Sequence, residues 1–246
     1  SFQFYYDTPN VEKPESDIPW RLGLFKRAID TATALRGGRP PRVWITEHGR
    51  SRHPDIKGSQ ANSFTAGLGG AIAAADFWIA IAQMPAIEGA FLYSVGQWNI
   101  FKNVGDSAYP LPMYWTVRVL RSLDLPVVLA TKNSSPNHSN YVGGYDVRTV
   151  AFTDENRSRY GLWAVNRASR DLPATIRLPA LAGKRLEVTH DYLAGREGVA
   201  ADADKMPPSV VMNQPAHVVQ VDKDGVLVLD LPANSVSSFS LVLAKG

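Results

Sequence analysis

One carboxylate stands out for where it sits. In Arg42-Val43-Trp44-Ile45-Thr46-Glu47-His48-Gly49-Arg50, a β-branched and aromatic run follows the breaker Gly37-Gly38-Arg39-Pro40-Pro41 and stops at Glu47, just before the turn former Gly49. This reads as a short buried strand that ends on an acid. A run with apolar groups on both faces suits a parallel sheet covered by helices, where chemistry gathers at strand ends. Aromatic side chains stand at neighbouring strand ends: Tyr5 and Tyr6, Trp44 beside His48, and Trp98. Aromatic rings can cover the apolar C–H faces of sugars, and cleaving a glycosidic bond takes two carboxylates flanking it. Only one is evident. A lone Glu can also cap or salt-bridge a strand terminus, and Tyr5 or Trp98 can be packing residues, so context has to decide between these roles.

Other chemistries find little support. His48, His53, His138, His190 and His217 lack HExxH or paired spacing, so a protein-bound metal is not expected. Gly67-Leu68-Gly69-Gly70 opens a helix without directly following a strand and lacks the third glycine of a dinucleotide fingerprint; it reads as close helix packing. There is no GxSxG elbow, and there are no cysteines for disulfides or thiolate sites. The 246 residues are 45% hydrophobic and 20% charged, a globular composition, and the charge of +3 comes from scattered basic residues that do not suggest nucleic acid. The longest apolar helical stretch, 70–84, carries Asp76 and is too short for a bilayer span. The compartment stays open.

The elements that would position Glu47 alternate. Ser1-Phe2-Gln3-Phe4-Tyr5-Tyr6 is a strand with no charged leader, as if the chain started inside a fold. A loop rich in proline and charge follows. Leu22, Phe25, Ile29, Ala32 and Leu35 recur at helical spacing up to Gly37-Gly38, and after the Glu47 strand a polar loop holds His53, Asp55 and Lys57. From about Ser63, Leu68, Ile72, Phe77, Ile79 and Ile81 mark a helix rich in small residues that can press onto a sheet. Ala90-Phe91-Leu92-Tyr93-Ser94-Val95 is a third strand, emptying into Gly96-Gln97-Trp98-Asn99, and 113–123 is a third helix. Such alternation predicts parallel βαβ units, yet three strands cannot close a barrel.

Past Pro126 the pattern changes. Short strands at 127–130, 161–165, 174–178, 185–189, 217–221, 226–229 and 237–241 are separated by turn residues, which predicts an antiparallel β-sandwich. The fold class expected is α/β plus all-β, divided at 1–124 and 125–246.

Several of these segments resemble a known family. Ser1-Phe2-Gln3-Phe4-Tyr5 resembles the sixth-strand motif of clan A glycoside hydrolases, most of all the family 51 α-L-arabinofuranosidases, and Ile45-Thr46-Glu47 is similar to their seventh-strand end. Leu162-Trp163-Ala164-Val165-Asn166-Arg167, His190-Asp191-Tyr192-Leu193-Ala194-Gly195 and Leu231-Pro232-Ala233-Asn234-Ser235-Val236 are similar to their C-terminal sandwich. Gln3 stands where that family usually has histidine, and His48 where tryptophan is commoner.

The resemblance implies the C-terminal part of a (β/α)8 TIM barrel followed by an antiparallel β-sandwich, in a retaining glycosidase. Glu47 would be the nucleophile and Tyr5 the phenol that orients it. Gln3 and His48, with Gln97, Trp98 and Asn99 by their position, are the expected sugar-binding residues. No cofactor or metal is implied. The expected partners are a carbohydrate and a second polypeptide segment, which would carry the first five strands and the acid/base glutamate; a higher oligomer stays open. Family 39 and family 30 enzymes share this plan. A non-catalytic carbohydrate-binding or structural module is the competing class.

Overall fold

The computed structural model describes residues 2–6, 18–50, 65–93, 100–137 and 144–244. In its first half strand and helix alternate as expected: β1 (Phe2–Tyr6), α1 (Ile18–Leu35), β2 (Val43–Arg50), α2 (Leu68–Ala82) and β3 (Ile87–Leu92). The three strands are parallel and lie in chain order, β1-β2-β3. Parallel neighbours require a crossover, and α1 and α2 stand in the two connections.

α1 turns Ile18, Leu22, Phe25 and Ile29 inward, at the spacing of one helical face. They meet Phe4, Tyr6, Val43 and Ile45 of the sheet and Ala73, Phe77 and Ala80 of α2. Leu35, expected on that face, is instead 85% exposed. The helix ends there: Gly37 and Gly38 have φ of 65° and 85°, and the Gly38 N–H donates to the Thr33 carbonyl, turning the chain away from the core.

The second half begins with an antiparallel hairpin that the sequence pattern does not announce, β4 (Phe101–Val104) with β5 (Ser107–Pro110), and with α3 (Pro112–Arg121). Nine strands follow: β6 (Val127–Leu129), β7 (Val147–Thr153), β8 (Arg159–Asn166), β9 (Leu172–Arg177), β10 (Arg185–Ala194), β11 (Ser209–Val211), β12 (His217–Gln220), β13 (Val226–Leu231) and β14 (Ser235–Leu243). Their pairings are antiparallel. Seven make one sheet, β11-β10-β14-β8-β7-β6 with β12 also beside β10, while β9 and β13 pair separately. β7 and β11 are additional to the strands the sequence predicts.

Both faces of the seven-stranded sheet are covered. On one, Val150, Phe152, Val165, Leu193 and Val236 pack against Leu68, Ile72, Ala75 and Ile79 of α2 and Val119 and Leu120 of α3. On the other, Leu162, Ala164, Leu186, Val188 and Leu241 meet Leu227, Leu229 and Leu231 of β13. α2 is therefore pressed between two sheets, which explains its glycines and alanines: small side chains let both sheets approach. A helix apolar on all sides needs partners on all sides.

The one charge in α2 is satisfied from the large sheet. Asp76 is fully buried, with Arg167 Nε and Nη2 at 3.0 and 2.8 Å from its Oδ2, Arg148 Nε at 2.8 Å from its Oδ1, and the Tyr145 hydroxyl donating to it. Burial pushes the Tyr145 phenol well above its ordinary value, so it stays a donor. At the other end of α2, Gln83 donates to the Leu129 carbonyl at 3.3 Å and accepts from the Thr131 N–H at 2.9 Å. No helix among the described residues is long and apolar enough to cross a membrane.

Candidate active site

β2 carries an irregularity that decides where its side chains point. Val43 and Ile45 are buried against the helices while Trp44 and Thr46 are exposed on the opposite face, the ordinary alternation of a strand. Continued, that period would aim Glu47 at the helices. Instead the ladder slips: Phe2 and Gln3 of β1 face Ile45 and Glu47, and Ala90 and Leu92 of β3 face Ile45 and His48. Against both neighbours β2 has one residue too many, a β-bulge at Thr46 and Glu47. Two consecutive side chains thus face outward, and His48 takes the buried side.

The bulge brings Glu47 to Tyr5 and Gln3. The Tyr5 hydroxyl donates to Oε1, and Gln3 Nε2 lies 3.5 Å from Oε2, at the long end of a hydrogen bond. Glu47 is half-buried, in the second half of its strand. The Tyr93 ring, 6.2 Å from that of Tyr5 and at 65° to it, stands on the same side, and its N–H donates to the His48 carbonyl at 2.8 Å. A carboxylate steered by a phenol and left open on one side can serve as a nucleophile or as a general base.

On the face around it Trp44, Phe91 and Tyr93 are exposed, which corrects the expectation of a strand buried on both sides. Trp44 is 45% and Phe91 54% exposed, stacked at 5.7 Å with 18° between their planes. Trp44 lies so close over Gly89 that a Cβ there would sit 2.7 Å from its ring. Beside it, the Trp44 indole donates to Glu88 Oε2 at 3.1 Å, and Arg42 pairs with Oε1. The Arg42 guanidinium holds Glu88 below the usual carboxylate range. Glu88 lies near the start of β3, level with Val43 and Trp44, and is engaged as a paired anion. It is not a second carboxylate flanking Glu47.

His48, expected to touch sugar, does not face the open side. It is 0% exposed, behind the strand, with its ring 4.7 Å from that of Phe77; Trp78 Nε1 is 3.0 Å from its Nε2 and the Tyr6 hydroxyl 3.3 Å from its Nδ1. The bulge shifts the phase of the strand by one residue, so His48 takes the buried place. Burial lowers its pKa to about 4.

Gln97, Trp98 and Asn99, like His53 and His138, lie outside the described residues. Among the described residues no three His, Cys, Asp or Glu side chains gather as metal ligands would. Tyr93 was within reach of sequence reasoning, as an aromatic at the end of a parallel strand. Arg50 was not: its ion pair with Asp202 joins positions 152 apart, with no local pattern to mark it.

No protein-family model and no curated protein matches the sequence. Solved structures do match the fold. An α-L-arabinofuranosidase from Thermotoga maritima, in complex with arabinose, aligns with a TM-score of 0.71 at 14% identity over 98% of this chain and 52% of its own. The thermostable family 51 α-L-arabinofuranosidase of Thermotoga petrophila gives 0.66 at 12% identity over 97% and 51%. A family 51 α-L-arabinofuranosidase from Bifidobacterium longum gives 0.62 at 16% identity over 98% and 54%. The chain thus has the α/β plus β-rich fold of clan A glycoside hydrolases such as the family 51 α-L-arabinofuranosidases, and it spans about half the length of these structures.

Proposed function

We propose that this chain supplies the nucleophile of a retaining glycoside hydrolase that acts on α-L-arabinofuranosides. Residues 1–124 are the last three βα units of a (β/α)8 barrel and 125–246 its β-sandwich. The observation that carries the reading is the bulge that turns Glu47 out of the helix interface and into hydrogen-bond contact with Tyr5, on parallel strands. The fold likeness to arabinofuranosidases supports the choice of sugar.

In this reading Glu47 attacks the anomeric carbon, and the bond to the leaving oxygen breaks as that oxygen takes a proton from a carboxylic acid on a second segment. Water then attacks the glycosyl ester, giving its proton back to that acid and releasing Glu47 and the sugar. The second segment carries the first five barrel strands and covers Trp44, Phe91 and Tyr93. Glu47→Gln in the assembled enzyme should reduce turnover of an aryl α-L-arabinofuranoside more than about 1,000-fold with the fold intact. Turnover within about tenfold of wild type, a barrier change of roughly 1.4 kcal/mol, would sink the assignment.

A further inference from the structure

Past the bulge β2 stays paired with β1, where Phe4, Tyr5 and Tyr6 face His48, Gly49 and Arg50, but among the described residues its pairing with β3 reaches only His48, so the end of the strand is held by the sheet on one side. Beyond Glu47 that stretch is His48, Gly49 and Arg50, the last three residues of β2. Arg50 points toward the start of α2 and forms a two-pronged ion pair with Asp202, with Nη2 2.9 Å from Oδ2 and Nη1 engaging Oδ1. Asp202 belongs to the connection between β10 and β11, in the β-rich half of the chain.

That connection is built to present the carboxylate. Arg196 and Asp204 close its base, with Nη2 2.9 Å from Oδ1, and the Met206 N–H donates to the same oxygen at 3.1 Å. Asn234 Nδ2 donates to the Val199 carbonyl at 2.6 Å, and the Gly198 N–H to the Ser169 carbonyl at 2.6 Å. Ala201 packs against the cluster shared by α2 and the large sheet. The backbone of α2 makes room: a Cβ on Gly69 would lie 1.9 Å from Asp202 Oδ1 and 2.8 Å from Arg50 Nη1.

Exposed ion pairs contribute little as a rule, but this one differs in two respects. The Arg50 side chain is only 8% exposed, though that of Asp202 is 45% exposed, and the pair is bidentate, which fixes direction as well as distance. We infer that Asp202 is a positioning residue for the Glu47 strand: through Arg50, the β10–β11 connection clamps the end of β2 and holds the bulge that aims the nucleophile. The inference rests on the reading of Glu47 as nucleophile. It makes the β-rich half a working part of the active site rather than an appended module.

The test compares wild type, Asp202→Asn, Arg50→Lys and Glu47→Gln in the assembled enzyme, by steady-state kinetics and by hydrogen exchange of the peptide that contains residues 48–50. Displacing a reacting group by about 1 Å costs on the order of 100-fold. Asp202→Asn and Arg50→Lys should therefore each lower kcat by about 10- to 100-fold with KM within about threefold, and exchange at 48–50 should quicken while β14 is unchanged. Asp202→Glu, which keeps the charge, should recover part of kcat. Unchanged exchange at 48–50 would overturn the clamp. Faster exchange with kcat within about twofold of wild type, or a loss confined to KM, would overturn the positioning role. Should Glu47→Gln remain active, the nucleophile reading fails instead, while the exchange comparison still reports on the clamp.

Discussion

The indole N–H of Trp78 points at Nε2 of His48 across 3.0 Å, directly behind the residue that follows Glu47. Indole can only donate, so Nε2 must be the bare nitrogen and the proton of the neutral ring sits on Nδ1, toward the Tyr6 oxygen 3.3 Å away. The imidazole is thereby fixed at both ends, and its ring lies against Phe77 at 4.7 Å with 36° between the planes. It fastens the backbone of the bulge from behind, just as Arg50 fastens the strand end.

This arrangement makes the protein sensitive to acid. His48 titrates near 4 when folded, because burial penalises its charged form, and near 6.5 when unfolded. The unfolded chain therefore binds more protons between those values. Stability should be complete above about pH 6.5 and fall as pH drops toward 4, by about 3 kcal/mol for this one group. His190, also lowered to about 4 by burial and by His217, adds to the slope in the same direction. Urea unfolding midpoints at several pH values check it: His48→Gln should flatten the slope, and a wild-type midpoint that is level from pH 6.5 to 4.5 would contradict the account.

Asp76 joins the two halves and should be intolerant of change. Removing its charge leaves the guanidiniums of Arg148 and Arg167 in a buried place without their carboxylate, a situation that costs about 3–5 kcal/mol. Asp76→Ala is expected to lower the unfolding free energy by that amount in denaturant titration. A loss below about 1 kcal/mol would show that water reaches the cluster and that the pair does little.

Tyr5→Phe removes the phenol that steers Glu47 and leaves the ring in contact with Tyr93. In the assembled enzyme kcat should fall about 10- to 100-fold, roughly 1.4–2.7 kcal/mol of barrier, with little change in unfolding temperature. An unchanged kcat would return Tyr5 to a packing role.

The open face predicts behaviour of the chain expressed alone. Trp44 and Phe91 stack with about half of each side chain exposed, so residues 1–246 by themselves should self-associate and show no arabinofuranosidase activity. Size exclusion and an activity assay on that chain check both statements. A monomeric, active protein would overturn the proposal that a second segment completes the barrel.

Periodicity was enough to place most elements. The helical spacing of Leu22, Phe25 and Ile29 and the breakers around each strand placed α1, β2 and β3, although β2 runs three residues past Glu47 to Arg50 and β3 spans Ile87–Leu92 where 90–95 was expected. It could not produce the bulge. Alternation counted from Val43 and Ile45 puts Glu47 on the wrong face, and only the registers of β1 and β3 together reveal the extra residue. His48 was misread for the same reason, since its place behind the strand depends on that slip. Asp76, seen in sequence as a mere interruption of an apolar helix, is balanced by side chains 69 to 91 positions away, and such long-range pairing has no local signature.

A nucleophilic Glu47 should form a bond to the sugar, and that bond can be weighed. The assembled enzyme is mixed with an aryl α-L-arabinofuranoside that has a good leaving group, quenched in acid within the first turnover and digested, and the peptides are measured by mass. One arabinosyl unit is expected on the peptide that contains Glu47, absent in Glu47→Gln, together with a first-formed product that keeps the α configuration. An adduct on any other residue, or a product of inverted configuration, would contradict it.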